Sequence, residues 1–450
     1  MRKIKIPATC WLSIFLISGY CYAQSTVGNP RVMQGPMIGV TSPTSCTIWL
    51  RISGSFDTQV EYSEYDTFRN ASSTRVQKAT KETDYIILFN IDNLKPDTEY
   101  YYRVRVHDGW DSYLRRIQPF RFKTAPASGD SKNFKLAYGS CARFQSDRVQ
   151  PIWHAIEKED PNLFIWIGDN IYGDALDPDI LFEEYMRQRE IASLQPVLRN
   201  ISHLAIWDDH DFGLNDHHNT NPIKDKALDV FKRVWANPGY GIQAAPGVFF
   251  KYQYGNIDFF FVDCRYYRDP NEMKDSPQKT MLGKEQFQWL TGELKKSTAI
   301  FKLVLSGSGW SKAKGPGGDS WASFLYERDR LFGFIKENQV EGVVLLSGDT
   351  HVGELNAIPW SEKGGYDLYD LVSSPLAQPT TDSWLVRKPE KRIRDVYFKG
   401  PNYGLIEFYL EEERPHLKFS LKNPKNEVVM SPFTLYADEL KNGVSSWEGK

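Results

Sequence analysis

The feature that most limits how this chain can fold is a regular alternation of short apolar runs and helical patterns beyond Phe134. Apolar runs of strand length begin at Phe134, Leu163, Leu204, Ile257, Phe301 and Gly342. Helical patterns lie at Val149 to Glu159, Ile180 to Arg189, Lys224 to Trp235, Glu285 to Lys296 and Phe324 to Glu337. This alternation predicts an α/β domain in which helices cover a buried sheet.

The preceding region, 28–126, has a different rhythm. Short alternating runs, such as Thr47 to Ile52 and Tyr101 to Val106, are separated by Gly, Pro, Asp and Asn. This pattern predicts a small antiparallel β-sandwich. The segment from Leu94 to Val104 resembles the tyrosine-corner region of fibronectin type III and immunoglobulin-like domains, with Leu94 and Tyr100 in the core. We therefore expect an N-terminal all-β fibronectin/Ig-like domain.

The N-terminus has the layout of a secretory signal peptide at 1–23. Basic residues at Arg2 and Lys3 precede an apolar stretch from Trp11 to Ile17, and Ala23 is the expected cleavage position. Because about 20 apolar residues are needed to span a bilayer, this stretch is too short for an anchor. The sequence predicts a secreted or periplasmic protein with no transmembrane span after cleavage.

The remaining boundaries follow from composition. A small, polar, Pro- and Gly-bearing linker begins at Thr124, the second domain is predicted at 133–435, and residues 436–450 are predicted as a tail. Short alternating strands from Tyr403 onward are expected to complete the sheet or form a hairpin.

Charge excludes one class of partner. The 55 Lys and Arg residues nearly balance the 57 Asp and Glu residues, which gives a net charge of -2. No global basic field is present, so we expect no stable nucleic-acid partner. An anionic substrate would have to be held locally, for example by a multivalent cation.

Ligand-type residues gather directly after four of the predicted strands. The motifs are Gly139-Ser-Cys141, Gly168-Asp169-Asn-Ile-Tyr172, Asp208-Asp209-His210-Asp211 and Gly348-Asp349-Thr-His351. A single Gly-Asp pair after a strand is commonly only a turn. Since ligands bind beyond the carboxyl ends of strands in α/β sheets, four such motifs predict one shared crevice.

These residue types favour metal ions. Three adjacent carboxylates in the third motif would repel each other near a core unless a cation neutralised them. Thiolate, phenolate and imidazole beside carboxylates suit an iron site next to an oxygen-rich site. A structural zinc site is excluded, because Cys46, Cys141 and Cys264 never form a close pair. One of these three thiols must remain unpaired, which fits burial, metal ligation or a reactive role.

The four motifs together resemble those of metallophosphoesterases, and within them the PhoD-like alkaline phosphatase and phosphodiesterase family. The resemblance covers both domains. It implies an α/β fold with a four-layer β-sandwich flanked by helices, as in calcineurin-like phosphoesterases and purple acid phosphatases. It also implies a phosphoric ester hydrolase that acts on phosphate monoesters or diesters.

The same resemblance implies roles for individual residues. Cys141, Tyr172 and His351 would hold Fe(III), Asp169 would bridge two ions, and Asp209 and Asp349 would hold a divalent ion, which is calcium in that family. His210 would be the catalytic histidine, and its acidic neighbours favour a raised pKa suited to a general acid. The implied mechanism is in-line attack by a metal-bound hydroxide on phosphorus. A nucleophilic Ser140 is disfavoured, since no Ser-His-Asp set is free of predicted metal ligands.

Several residues keep two interpretations. Arg143 is either a donor to substrate oxygens or a surface arginine, and Arg265 either contacts phosphate or pairs with Asp263. His217 and His218 are either a further metal pair or loop residues without a task. No histidine lies between His218 and His351, so the remaining ligands of the divalent ion are open. The candidates for them are Asp208, Asp211, Asn170 and Asp174.

Three functional questions also stay open. A secreted carbohydrate-binding or surface-binding protein, or a scaffold with a non-catalytic phosphatase-like domain, would explain the β-sandwich. It would not explain the ligands at four strand ends.

Preference for monoesters or diesters would depend on access to the site, which the Gly-rich segment from Gly315 to Asp319 could control as a flexible lid. The natural substrate and the oligomeric state do not follow from the sequence.

Overall fold

The N-terminal unit is all-β. The computed structural model describes residues 29–107, 109, 110, 114, 117 and 119–450, so the predicted signal peptide lies outside the described residues. The strands are β1 (Val32–Thr41), β2 (Ser45–Ile52), β3 (Asp57–Ser63), β4 (Ser72–Ser73), β5 (Gln77–Lys78), β6 (Ile86–Asp92), β7 (Glu99–Val106), β8 (Gly109–Trp110) and β9 (Phe120–Lys123). One antiparallel sheet has the order β1-β2-β6, and the other has the order β4-β3-β7-β8 with β5 and β9 alongside β3 and β7.

Several strands of this unit bury every second side chain, which explains how its two sheets form a core. Alternate residues of β7 are buried, as its sequence of alternating aromatic or aliphatic and polar residues predicts. Leu94 and Tyr100 are both buried, and the Tyr100 hydroxyl accepts a hydrogen bond from the backbone N–H of Lys95 at 2.9 Å. The boundary at residue 126 stays a prediction.

The second part of the chain contains fifteen of the described strands. They are β10 (Phe134–Gly139), β11 (Leu163–Ile167), β12 (Ser202–Ile206), β13 (Gly241–Ile242), β14 (Ala245–Pro246), β15 (Phe250–Tyr254), β16 (Ile257–Phe261), β17 (Phe301–Ser306), β18 (Val343–Ser347), β19 (Glu354–Ile358), β20 (Leu368–Val372), β21 (Lys391–Arg392), β22 (Tyr403–Tyr409), β23 (His416–Lys422) and β24 (Phe433–Tyr436). Every residue of β11, β16, β17 and β18 is buried, as expected for strands covered on both faces.

Thirteen of these strands divide between two mixed sheets, where the alternation of runs predicted a single buried sheet, and β13 and β14 pair only with each other. One sheet has the order β12-β11-β10-β22-β23-β24, and the other has the order β15-β16-β17-β18-β20-β19-β21. The Tyr138 hydroxyl of β10 donates to the Leu371 carbonyl of β20 at 2.9 Å, so the sheets lie face to face. Periodicity cannot tell which strands pair, because that depends on contacts far apart in the chain. The predicted C-terminal strands complete the first sheet.

The α-helices alternate with the strands, which confirms the α/β prediction. They are α1 (Ile152–Glu159), α2 (Pro178–Gln188), α3 (Gln195–Asn200), α4 (Asp209–Phe212), α5 (Lys224–Val234), α6 (Gly283–Lys296) and α7 (Leu325–Glu337). Helix α2 begins where its sequence specifies, because the Asp177 side chain accepts from the Asp179 N–H and Pro178 occupies the first turn. Helices α3 and α4 are too short for periodicity to predict.

The N-terminal unit packs closely on the second part of the chain. The Trp49 indole N–H donates to the Arg233 carbonyl at 2.9 Å. The Arg189 guanidinium lies over the rings of Trp49 and Trp235, at 4.7 and 4.8 Å from their centroids. Because Trp49 joins the main hydrophobic core, the two parts share an apolar interface.

The C-terminal residues also lie against the second part. Leu440 is fully buried, and the backbone N–H of Ser446 donates to Asp367 at 2.7 Å. The domain range 133–435 and the tail 436–450 stay predictions. Across the described residues, none of the helices combines the length and hydropathy that a membrane crossing needs.

Candidate metal centre

The loops after β10, β11, β12 and β18 bring the predicted metal-binding residues together. Cys141 and Asp169 each lie two residues beyond their strand, Asp209 begins α4, and His351 follows β18. Strands β10, β11 and β12 are parallel neighbours, so their carboxyl ends meet at one edge. This is the position at which α/β sheets bind ligands.

Potential ligand atoms form three connected groups in the described part of the chain. Within each group the atoms lie within 4.8 Å of one another: Cys141, Asp169 and His351; Asp169, Asp209 and His210; Asp209, Asp216 and Asp319. Asp169 belongs to the first two groups and Asp209 to the last two. The groups therefore form a continuous row, in which a shared carboxylate could bridge neighbouring ions.

The first group is the thiolate-containing one. Cys141 Sγ lies 3.3 Å from Asp169 Oδ2, and the Tyr172 hydroxyl lies 3.0 Å from His351 Nε2. Burial raises the pKa of the Cys141 thiol to about 11, and burial and the nearby Cys141 raise that of the Tyr172 hydroxyl well above its usual range. Both groups are protonated near neutral pH, so a bound cation would have to displace their protons.

His351, unlike Cys141 and Tyr172, does not have to lose a proton before it binds a metal. Burial, together with the positive charges of Lys314 and His210, lowers the pKa of His351 to about 4. The imidazole is therefore neutral, which is the form that ligates metals. Ser374, which sequence reasoning missed, supports this group: its hydroxyl accepts from the His351 N–H at 2.9 Å and donates to Cys141 Sγ at 3.3 Å.

The second group contains the predicted catalytic histidine. His210 Nδ1 lies 2.5 Å from Asp174 Oδ1, and the imidazole packs on the Tyr172 ring with centroids 4.1 Å apart. Burial lowers the pKa of His210, but the carboxylates of Asp169, Asp174 and Asp209 outweigh it and raise the pKa to about 10. These acidic neighbours favour the imidazolium form of His210, and Asp174 fixes its orientation.

The third group adds two carboxylates that sequence reasoning missed. The backbone N–H of Asp216 donates to Asp209 Oδ2 at 2.7 Å. Asp319 accepts from both Arg265 and Arg268 at 2.6 Å. The position of Asp216 in a polar loop just after α4 was the only sequence signal for it. For Asp319 there was no sign of metal binding in the sequence, because the loop after β17 carries none of the four motifs.

The Arg265 side chain does not pair with Asp263, so that prediction is wrong, whereas its contact with phosphate stays a prediction. Its guanidinium is fully buried and binds Asp208 and Asp319, while Asp263 accepts only from its backbone N–H. Burial raises the pKa of Asp319, but the two arginines outweigh it and hold this pKa well below its usual range. Arg265 therefore neutralises the acidic residues behind the centre, away from solvent.

Asp349 lies beside the centre but belongs to none of the three groups in the described residues. Its Oδ2 lies 2.5 Å from Nζ of Lys314, and its N–H donates to the Ser140 hydroxyl. Lys314 directly precedes the predicted flexible lid, Asp319 is its last residue, and both make ion pairs. The lid is therefore anchored at each end.

The backbone at the centre is unusual. Six non-glycine residues there have positive φ angles: Cys141 (60°), Asp169 (49°), Asp174 (45°), Asp216 (58°), Asp349 (68°) and His351 (55°). This left-handed conformation costs a non-glycine residue free energy, and such residues cluster at functional sites. The turns after the strands thus aim ligand side chains at one place.

The residues present fit metal ions. Asp169 Oδ1 and Asp208 Oδ2 are buried and have no hydrogen-bond partner among the described residues, and Asp209 Oδ1 has only the Arg265 guanidinium, at 3.5 Å. An unpartnered buried carboxylate oxygen is costly, and a cation would satisfy it.

The other candidates for the divalent ion have structural contacts. Asp211 accepts from the backbone N–H groups of Asp208 and Asn170 and from the Tyr185 hydroxyl. The Asn170 amide donates to the Ile206 carbonyl. These side chains hold the loops in position, whereas Asp174 orients His210.

Two histidines and one arginine remain. His217 and His218 make contacts within their own loop and belong to none of the groups found in the described residues. Arg143 lies over the Tyr172 ring at 5.0 Å from its centroid, and its buried Nε has no partner in the described structure. Arg143 therefore faces the centre, unlike a surface arginine.

Cys264, Trp153, Trp207 and Trp310 are fully buried in the core.

The two sheets with their flanking helices, and the carboxyl, thiol and imidazole groups at converging strand ends, are the arrangement to compare with known proteins. A model of the PhoD-like phosphatase family matches residues 136–418, and a model of the PhoD-like phosphatase N-terminal domain matches residues 19–126. The chain belongs to the PhoD-like phosphatase family.

Known relatives agree with this assignment. Alkaline phosphatase D of Bacillus subtilis (strain 168) is 26% identical over 343 residues, which cover 65% of this chain and 57% of that protein. A solved structure of PhoD has a TM-score of 0.75 at 18% identity and covers 91% of both chains. A purple acid phosphatase from yellow lupin (Lupinus luteus) seeds has a TM-score of 0.58 at 14% identity, covering 90% of this chain and 74% of that one. These structural likenesses concern the fold alone.

Proposed function

We propose that this protein hydrolyses phosphate esters at a two-metal centre. The observation that carries the proposal is the shared position of Asp169, which belongs both to the group with Cys141 and to the group with Asp209. A carboxylate placed in this way suits two adjacent ions. Membership of the PhoD-like phosphatase family supports the same reaction class.

The proposed ion sites follow from the ligand chemistry. Fe(III) would be held by Cys141, Asp169, Tyr172 and His351, since thiolate, phenolate and imidazole suit iron. A divalent ion, which we propose to be Ca²⁺, would be held by oxygen atoms, with Asp169 and Asp209 as ligands and Asp216 and Asp319 close by. Asp349 is kept as a ligand candidate through its second oxygen. When bound, the ions would supply positive charge and activate water for attack on phosphorus.

The protein's own residues would orient the ester and handle a proton. His210, an imidazolium held by Asp174, would protonate the leaving oxygen. Arg143, whose guanidinium lies over the Tyr172 ring, would donate to a substrate oxygen.

The finer assignments belong to the same proposal. Secretion rests on the predicted signal peptide at 1–23. The fibronectin type III-like or Ig-like nature of the N-terminal unit is supported by the Tyr100 hydroxyl bond to the Lys95 backbone. The four-layer arrangement is supported by the two facing sheets and their flanking helices.

The first test is metal analysis of purified mature protein, combined with hydrolysis of p-nitrophenyl phosphate and bis-p-nitrophenyl phosphate. The comparison variant is Asp169→Asn. The matched control is Asp130→Asn, since Asp130 is exposed and lies in the linker outside the four motifs, where its N–H donates to the Ala127 carbonyl. We expect iron with a second ion, and hydrolysis that is lost only in Asp169→Asn.

Wild-type protein that stays inactive after iron and calcium are restored would overturn the catalytic proposal. It would favour a binding or scaffold function for the phosphatase-like domain. The ratio of rates on the two substrates would rank monoesters against diesters.

A further inference from the structure

Lys314 is a cation at the centre that neither the sequence motifs nor the proposed metal ligands include. It lies in the loop after β17, and its Nζ donates to Asp349 Oδ2 at 2.5 Å and to the Asp319 carbonyl at 3.0 Å. Its side chain is 19% exposed, so it is largely but not wholly removed from solvent. Two acceptors from separate loops hold its position.

The ammonium has one more donor than these contacts use. A lysine ammonium has three N–H groups. In the part of the chain that the structure describes, Asp349 and the Asp319 carbonyl take two of them. These two contacts leave the third donor unused, and 19% of the side-chain surface is exposed.

The surroundings of Lys314 place it beside the metal-binding groups. Asp319 belongs to the third ligand group, and Asp349 lies two residues before His351. Lys314 and Arg143 both act electrostatically on the His351 imidazole. Each of the two cations therefore lies close enough to the same ligand for its charge to be felt there.

A purely structural role would be to neutralise Asp349. That role needs charge but no spare donor and no solvent access, and Arg265 shows how this chain neutralises carboxylates when burial is complete. Lys314 differs because it is partly exposed. The chain has a net charge of -2, so an anionic ester must be attracted by local cations such as these.

We propose that Lys314 binds the phosphate group of the substrate, with Asp349 and the Asp319 carbonyl orienting its ammonium. This inference rests on the proposed phosphoesterase function. The ammonium donates its third N–H to a non-bridging phosphate oxygen, while Arg143 donates to another. One oxygen of the Asp349 carboxylate then positions this lysine, while the other stays a candidate metal ligand.

The test is the affinity of the metal-loaded protein for inorganic phosphate, measured by titration calorimetry. Lys314→Met removes the charge and the donors at similar length. Lys312→Met is the matched control, because Lys312 is exposed on the same loop. We expect the phosphate Kd of Lys314→Met to rise by about 10-fold or more, since a charged hydrogen bond is lost. KM should rise with it, the metal content should stay unchanged, and Lys314→Arg should recover part of the affinity.

Two results would overturn the inference. One is an unchanged phosphate Kd in a folded Lys314→Met protein that carries its metals. The other is loss of metal from Lys314→Met, which would assign the lysine to neutralising Asp349. If Lys314→Met does not fold, Lys314→Arg and Lys314→Gln decide by the same measurement. Failure of the proposed function is distinct, because the metal-loaded wild type would then not hydrolyse either ester.

Discussion

At the scale of single residues, the centre depends on charges that compensate one another out of contact with solvent. Arg265 touches Asp208, Asp209 and Asp319, and it has no exposed surface. Burying such charges costs free energy unless every partner is present. Removing one partner therefore leaves the others unsatisfied.

The first prediction concerns this residue. Arg265→Met should lower the free energy of unfolding of the metal-free protein by about 3–5 kcal/mol, because buried carboxylates lose their counter-charge. Urea denaturation would measure the change. Arg121→Met is the control, since Arg121 is about half exposed and its ion pairs with Glu99 and Asp160 should contribute only about 1 kcal/mol or less. Equal losses in the two variants would contradict the assigned role of Arg265.

At the scale of elements, the centre is built from turns at strand ends. Gly168 directly follows β11 with a φ of 96°, and a Cβ at this position would lie 2.8 Å from the Asp208 Cβ and 3.3 Å from the Gly307 Cα. Three strand ends therefore meet at one glycine. The close approach sets the position of Asp169, the next residue.

The second prediction tests this turn. Gly168→Ala should lower stability by about 1–3 kcal/mol, since alanine is strained at positive φ, and should reduce bound metal by displacing Asp169. Thermal unfolding and elemental analysis would measure the two effects. Gly333→Ala is the control, because nothing lies within 4 Å of a Cβ there, in the middle of α7. That change should leave metal binding intact and raise stability slightly. Intact metal content in Gly168→Ala would refute the argument.

At the scale of the whole molecule, the N-terminal unit shares its interior with the second part of the chain. Trp49 and Ile86 of this unit belong to the main core, whereas Phe89 belongs to the separate core of the N-terminal unit. Trp49 also contacts Arg189 and donates to the Arg233 carbonyl. Through these contacts the N-terminal unit supports helices α2 and α5.

The third prediction follows from this arrangement. Trp49→Ala should destabilise the protein by about 3–5 kcal/mol and lower the temperature at which ester hydrolysis is lost. Phe89→Ala removes a buried ring from the N-terminal core alone and should lower that temperature less. Activity measured after heating at a series of temperatures compares the two. An equal shift would mean that the N-terminal unit supports the centre as one body, irrespective of the interface residue.

Many strands, the longer helices and the loops that carry the four motifs could be predicted, because each depends on a local sequence pattern. The alternation beyond Phe134 fixed the strands β10, β11, β16, β17 and β18 and the longer helices, since burial on one or both faces leaves a period in the chain. The four strand-end motifs predicted which loops converge. Cys141, Asp169, His351, Asp209 and His210 all fall in connected ligand groups.

The tertiary structure decided the contacts that no local pattern encodes. One such feature is the division of the strands into two sheets. Two others are ion pairs between distant residues: Arg265 pairs with Asp319 across 54 residues, and Lys314 pairs with Asp349 across 35. A lysine or aspartate in a Gly-rich loop has the same local sequence signal whether it faces solvent or a metal centre. By itself the sequence determined the elements, the family and most of the candidate ligand residues, because each leaves a local pattern. Which charged side chains surround these candidate ligands was decided only by the packing of the two sheets. The charged partners come from loops that meet only in the folded chain.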